Sequence, residues 1–181
     1  MKPINLIAAV SENNGIGIKG NLPWKLKKET EYYIRMTTQT KNTNKMNAVI
    51  MGRKTWDSVP SKYKPFSNRL NIVISQNEKN IDERVLIFKN VSEAVDALQN
   101  GFPNIETIWI IGGHGIYKEA LDKKLCDKLY ITKIKKKIEC DTFFPHYNEN
   151  DFSLIEEPGV PTDIQKENGL CYEFKIFQKK H

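Results

Sequence analysis

A carboxylate, two glycine turns and a pair of cations are the residues of this chain whose types and spacing could do chemistry. Glu29 lies one turn into a predicted helix, close behind Leu22-Pro23-Trp24. Tyr33 follows four residues later, so the two share a helix face. A face carrying a carboxylate and an aromatic ring can seat a flat, hydrogen-bonding heterocycle. On the residues alone, Glu29 reads more simply as a solvated first-turn acid favoured by the helix dipole.

Gly112-Gly113-His114-Gly115 turns between the apolar run Trp109-Ile110-Ile111 and a helix opening near Ile116. Such a turn lets backbone approach a pyrophosphate, and the helix start supplies free N–H groups. An ordinary tight turn is the alternative. Gly52-Arg53-Lys54-Thr55 also joins a strand to a helix, and adds two cations and a hydroxyl suited to a phosphate ester such as the 2′-phosphate of NADP. Alone it reads equally as a solvated helix start. Together the two turns suggest the two ends of one dinucleotide, bound at the carboxyl edge of a parallel sheet.

Gly15, Gly17 and Gly20 fit G-x-G-x-x-G as a string, but the context is wrong for a dinucleotide fingerprint. Ser11-Glu12-Asn13-Asn14 separate them from the preceding strand, Asn21-Leu22-Pro23 follows instead of a helix, and Thr37 to Asn44 holds no acid. The glycines read as flexibility for a loop or lid. The three cysteines, Cys126, Cys140 and Cys171, and the three histidines form no metal-ligand spacing, so no metal site is expected.

The elements that must position these groups follow from periodicity. Buried strands are predicted at Ile4–Val10, Ala48–Met51, Leu70–Ser75, Val85–Phe88, Thr107–Ile111 and Lys128–Ile134, with two more at Asp151–Glu156 and Leu170–Gln178. Helices are predicted at Leu26–Thr38, from Gly52 through Trp56, at Val91–Gln99 with Ser92 as N-cap and Gly101 as stop, and at Ile116–Leu125. Residues 11–25 read as one long loop. Strands alternating with helices predict an α/β fold. Its central sheet has eight strands, mostly parallel, with an antiparallel C-terminal edge strand and helices on both faces.

At 181 residues and 39% hydrophobic content, the chain is expected to form one domain with a packed core. No apolar run reaches the length of a membrane span, and Leu6–Val10 is too short for a signal peptide, so a cytoplasmic protein is expected. The net charge of +6 suits anionic small ligands or nucleic acid. Lys135-Lys136-Lys137 reads most simply as a solvated turn, and no aromatic-basic motif requires a nucleic-acid role.

The chain resembles the dihydrofolate reductase family, most closely its animal type, over nearly its whole length. The resemblance rests on Ile7-Ala8-Ala9-Val10, Gly15-Ile16-Gly17, Leu22-Pro23-Trp24, Arg35-Met36-Thr37-Thr38 and Val49 through Trp56. Further matches are Arg69-Leu70-Asn71-Ile72-Val73, Trp109 through Gly113 with Tyr117-Lys118-Glu119, and Asp141-Thr142-Phe143-Phe144-Pro145. It implies hydride transfer from NADPH to dihydrofolate, antifolates as further ligands, a single reductase domain over residues 1–181 without a fused thymidylate synthase, and a monomer.

The resemblance also implies roles. Glu29 is the active-site acid, with Leu22, Trp24 and Thr132 completing the catalytic group; Thr132 alone would read as a simple β-former. Ile7, Ala8, Leu22, Tyr33, Val59 and Ile111 wall the pterin and benzoyl rings beside Thr30 and Phe66, and Arg69 clamps the tail carboxylate. Ala9 and Ile16 offer backbone groups to the nicotinamide. Gly15, Gly17, Asn21, Gly52, Arg53, Lys54, Thr55, Ser75, Gln76, Gly112, Gly113, Gly115, Ile116 and Tyr117 complete the cofactor set. Gly112-Gly113 and Lys64-Pro65 are expected to be cis. Thr30 and Tyr33 stand where the family usually has phenylalanine, Phe66 where leucine is common, and Gln76 where an arginine often meets the 2′-phosphate. Two other readings are a related pyrimidine reductase of riboflavin synthesis and a non-catalytic basic module. Leu22-Pro23-Trp24 with Glu29 and Arg69 argues against the pyrimidine reductase.

Overall fold

Short apolar runs separated by turn residues become the strands of one sheet. The computed structural model describes residues 1–77 and 80–181. Its elements run β1 (Ile4–Val10), β2 (Gly15–Gly17), α1 (Lys27–Thr38), β3 (Met46–Gly52), α2 (Arg53–Ser58), β4 (Arg69–Ile74), β5 (Leu86–Phe88), α3 (Val91–Asn100), β6 (Ile105–Gly112), α4 (His114–Asp122), β7 (Lys128–Ile134), β8 (Thr142–Phe143), β9 (Phe152–Ile155), β10 (Gln165–Glu167) and β11 (Leu170–Lys179). The sheet order is β10-β11-β7-β1-β6-β3-β4-β5, with β9 also paired to β11. Strands β1, β3, β4, β5, β6 and β7 are parallel, and β11 runs antiparallel to β7.

The mostly parallel α/β sheet with an antiparallel C-terminal side is as the sequence predicts. It counts nine strands among the described residues rather than eight. The addition is β10, three polar residues with no apolar period to announce them. It and β9 pair with β11, so β11 is not itself the rim.

Alternation along the strands divides the core. Ile4, Leu6, Ala8 and Val10 of β1, Ala48 and Ile50 of β3, and Ile108 and Ile110 of β6 join one cluster with residues of α3 and α4. Ile7, Val49, Met51, Trp109 and Ile111 face the other way, against Leu26, Tyr32 of α1 and Trp56 of α2. Both faces are covered, which is why these strands read as continuous apolar runs.

Three local predictions are corrected. The N-cap of α3 is Asn90, whose side chain accepts from Glu93 N, and not Ser92; Ser92 N instead donates to the Glu119 carboxylate. The helix predicted from Ile116 begins two residues earlier, at His114. The third correction concerns Gly15–Gly20. Its first part is a strand, β2, paired with β8. A Cβ built on Gly15 would stand 2.2 Å from Cys140 Sγ and 2.8 Å from Ser11 Oγ. Gly15 is therefore required by close packing, not by flexibility, whereas Gly20 has a positive φ of 77° and open space around it. Gly15→Ala is expected to lower the melting temperature through overpacking worth about 1–3 kcal/mol. Combining it with Cys140→Gly should recover part of the loss. A single variant that melts like the parent would disprove the packing role. No helix among the described residues is long and apolar enough to cross a membrane.

Candidate active site

The acid rides on α1, and both ends of that helix are fixed by distant residues. Leu26 at the N-cap offers no side-chain hydrogen bond. The Glu167 carboxylate takes over, accepting from Lys27 N at 2.6 Å and Lys28 N at 3.0 Å. At the other end the buried Asn47 amide donates to the carbonyls of Thr37 and Gln39, 3.0 Å each. Free terminal groups are satisfied in both cases.

Glu29 is 6% exposed and packs toward the face of the sheet that carries Ile7 and Ile111. Thr132 Oγ1 on β7 donates to Glu29 Oε1 at 3.1 Å. Burial pushes the carboxyl up from 4.5 to about 7, and the Thr132 hydrogen bond opposes the shift. A carboxyl at that value exists in both protonation states near neutral pH, the condition for general acid work. Trp24 is also buried, and its indole N–H meets no acceptor among the described residues.

At the far end of α1, Thr37 Oγ1 accepts from Arg69 Nη1 at 2.9 Å. Arg69 also donates through Nε to the Ser67 carbonyl at 2.9 Å, and its guanidinium lies over the Phe66 ring, 5.0 Å from the centroid. Asn71 fixes this corner by accepting from Phe66 N and donating to the carbonyls of Phe66 and Arg69. Two of the five guanidinium N–H groups are thus used, leaving a fork suited to a carboxylate.

The two glycine turns lie side by side. Strands β3 and β6 are neighbours, with Met51 opposite Gly112 after a register slip beside Ile110. From there the chain leaves β3 toward β4 and leaves β6 toward β7, in opposite directions across the sheet. That divergence is a topological switch point, the place where open α/β sheets bind ligands. A Cβ on Gly113 would stand 3.8 Å from Thr55 Oγ1, and one on Gly52 would press Ile116 Cγ1 at 3.1 Å. Gly112-Gly113 and Lys64-Pro65 are both cis. Tyr117 directs its hydroxyl to the carbonyls of Ile7 and Ile111, at 2.8 and 3.0 Å, tying β1 to β6 beneath the turn. Arg53 Nε donates to Asp57, Lys54 and Gln76 are exposed, and Ser75 N donates to the Phe88 carbonyl. Gly115 has open space at its Cβ position.

Several site residues are not gathered as the sequence reading has them. Leu22 is 56% exposed, carried outward after the turn that bridges Ile18 and Asn21. Asn21 is also exposed. Ala8 packs in the cluster on the opposite face from Ile7, because adjacent strand residues alternate. Its methyl is therefore not part of the wall beside Ile7. Ala9 returns to that side. Thr30 is exposed, and its hydroxyl turns back to the Leu26 carbonyl at 3.1 Å. Val59 is half-buried just beyond α2. Ile16 packs against the opposite-face cluster, and Gly17 O accepts from Asp141 N. The sequence reading passes over Thr37, Asn47, Asn71 and Glu167 as site supports. Thr37 and Glu167 act on partners far along the chain, and only the buried polar character of Asn47 and Asn71 within apolar strands could have marked those two.

Comparison with known proteins gives concordant results. A family model described as dihydrofolate reductase matches residues 3–179. The chain is 43% identical to the dihydrofolate reductase of Heliothis virescens over 180 residues, covering 97% of each chain. It is 44% identical to that of Drosophila melanogaster, covering 99% of each, and 41% identical to that of Gallus gallus, covering 99% of this chain and 97% of the other. Among solved structures, Schistosoma mansoni dihydrofolate reductase superposes with a TM-score of 0.87 at 35% identity, covering 99% of each chain.

Proposed function

We propose, from the premise that this chain belongs to the dihydrofolate reductase family, that it reduces 7,8-dihydrofolate to tetrahydrofolate with NADPH as its nicotinamide cofactor, and so supplies one-carbon metabolism and thymidylate synthesis. The observation that carries this reading is Glu29: a buried carboxyl, held by Thr132, with its pKa raised to about 7. Its two oxygens accept from a ring N–H and an exocyclic amine of the pterin, which fixes the ring. Its protonated form delivers a proton toward the pterin nitrogen through a water held by the Trp24 N–H. Leu22, carried on the loop, completes this catalytic group when the loop closes.

Ile7, Tyr33, Val59, Phe66 and Ile111 enclose the rings, with Thr30 and the backbone of Ala8 at the margin. Arg69 holds the tail carboxylate. NADPH supplies the hydride. For it, Gly112, Gly113, Gly115 and Ile116 on one turn and Gly52, Arg53, Lys54 and Thr55 on the other would hold the phosphates, with Ser75 and Gln76 beside the 2′-phosphate. Tyr117, whose N–H goes to the Gly113 carbonyl and whose hydroxyl goes to Ile7 and Ile111, braces the turn from beneath and does not itself contact a phosphate. Ala9, Gly15, Ile16, Gly17 and Asn21 cover the nicotinamide. The open Cβ space at Gly115 and the closeness of Gly113 to Thr55 support the two turns as a shared seat that would hold phosphates. The protein acts as a single-domain cytoplasmic monomer that takes antifolates and needs neither membrane nor nucleic acid.

The test is the loss of NADPH absorbance on adding dihydrofolate. Turnover is expected, with a lower KM for NADPH than for NADH because Arg53, Lys54 and Ser75 favour the 2′-phosphate. No turnover by folded protein would sink the reading, and equal KM values would sink the cofactor preference.

A further inference from the structure

Glu29, Tyr33 and Thr37 stand at i, i+4 and i+8 on α1 and therefore form one row along its face. The row has a charge at each end. Glu29 occupies the first turn, and Thr37 receives the Arg69 guanidinium at the last. At about 1.5 Å per residue the row is about 12 Å long, and Tyr33 sits near its middle. A ligand whose heterocycle meets Glu29 and whose carboxylate meets Arg69 must pass over Tyr33.

The Tyr33 side chain is half-buried and packs against the cluster that holds Ile7, Val49 and Ile111. Its hydroxyl forms no hydrogen bond to any described residue. The phenol is pushed up by burial, with Arg69 drawing it down and Glu29 pushing it further up. The proton therefore stays on, and the group remains a donor. Tyr33 lies within electrostatic reach of both Arg69 and Glu29, at the middle of the row between them. A phenylalanine would fill the same volume. The hydroxyl is what this chain adds, and a half-buried donor with no protein acceptor is costly unless a ligand or solvent satisfies it.

We infer that Tyr33 is a specificity-determining residue whose hydroxyl donates a hydrogen bond to an acceptor oxygen on the substrate's tail, between the heterocycle and the carboxylate held by Arg69. The inference rests on the dihydrofolate reading of the site. Ligands that carry a carbonyl or carboxylate there gain a contact, and lipophilic tails of the same shape bury the hydroxyl unpaired. This chain consequently discriminates more sharply against lipophilic folate analogues than a version with phenylalanine.

The test compares wild type with Tyr33→Phe, which keeps the ring and its packing. Each is assayed for kcat/KM on dihydrofolate and on a tail-less 6-methyl-dihydropterin. Folate and pterin binding are also measured directly by quenching of tryptophan fluorescence. The ratio of kcat/KM for dihydrofolate over the tail-less pterin is expected to fall about tenfold in Tyr33→Phe, mainly through KM. The ratio of folate to pterin affinity should fall in parallel. A ratio within twofold of wild type overturns the inference while leaving the reductase reading intact. Equal losses on both substrates also overturn it, because the hydroxyl would then act on the heterocycle. A wild type that neither turns over dihydrofolate nor binds folate overturns both readings.

Discussion

Glu29→Gln is expected to lose about 10²–10⁴-fold in turnover at neutral pH while still binding NADPH. Glutamine keeps the size but replaces one acceptor oxygen by an NH2 donor, and it cannot deliver a proton. The wild-type rate should fall as pH rises through about 7, as the protonated carboxyl is titrated away, and the variant should lack that limb. Stability falls over the same pH rise. Glu29 holds its proton more tightly folded, near 7, than unfolded, near 4.5, so between those values the folded state carries more protons. Stability therefore falls as pH climbs from about 4.5 through about 7, by on the order of 3 kcal/mol at most. Above that range the carboxylate is a burden to the fold, and Glu29→Gln should melt higher than wild type at pH 8. Thermal melts at pH 5 and 8, alongside a rate profile, check both halves. A variant with wild-type turnover would remove Glu29 from the chemistry. A variant that melts no higher at pH 8 would show that the burial of the charge is relieved in some other way.

Arg69→Leu is expected to raise the KM for dihydrofolate by roughly 10²-fold, from the loss of a charge-assisted, paired contact worth about 1.5–3 kcal/mol per hydrogen bond. A lysine should not restore it, because the fork is planar. Its Nε is committed to Ser67 and one Nη to Thr37, which orients the remaining edge, and a flexible ammonium has no equivalent to that geometry. The effect should be absent for a substrate without the tail. Steady-state assays on both substrates separate a tail clamp from a general disturbance of the cleft. An unchanged KM for dihydrofolate would show that the tail runs elsewhere.

Much of this architecture is legible in the sequence because the signals are local. The buried parallel strands announce themselves as short apolar runs, and the turns at Gly52 and Gly112 are marked by glycines directly after such runs. The misreadings have local causes too. Strand β10 is three polar residues with no period to detect. Ser92 is a plausible cap, but Asn90 lies two residues earlier and holds the position, helped by a carboxylate from α4. Gly15 is a fair candidate for flexibility until Cys140 is seen against it, 125 residues further on.

The sequence by itself determines the fold class, the two glycine turns and Glu29 as the carboxylate behind Leu22-Pro23-Trp24. These depend on periodicity and on residues within a few positions of one another. Only the tertiary structure decides what those groups become. The pKa of Glu29 is set by burial and by Thr132, 103 residues away. The face of Tyr33 acquires meaning from Arg69, and the helix carrying Glu29 and Tyr33 is held at its start by Glu167, 140 residues distant. The two turns become one site because β6 inserts between β1 and β3. Electrostatics and close packing depend on distance in space, and the chain's own order does not reveal that distance until the sheet is assembled.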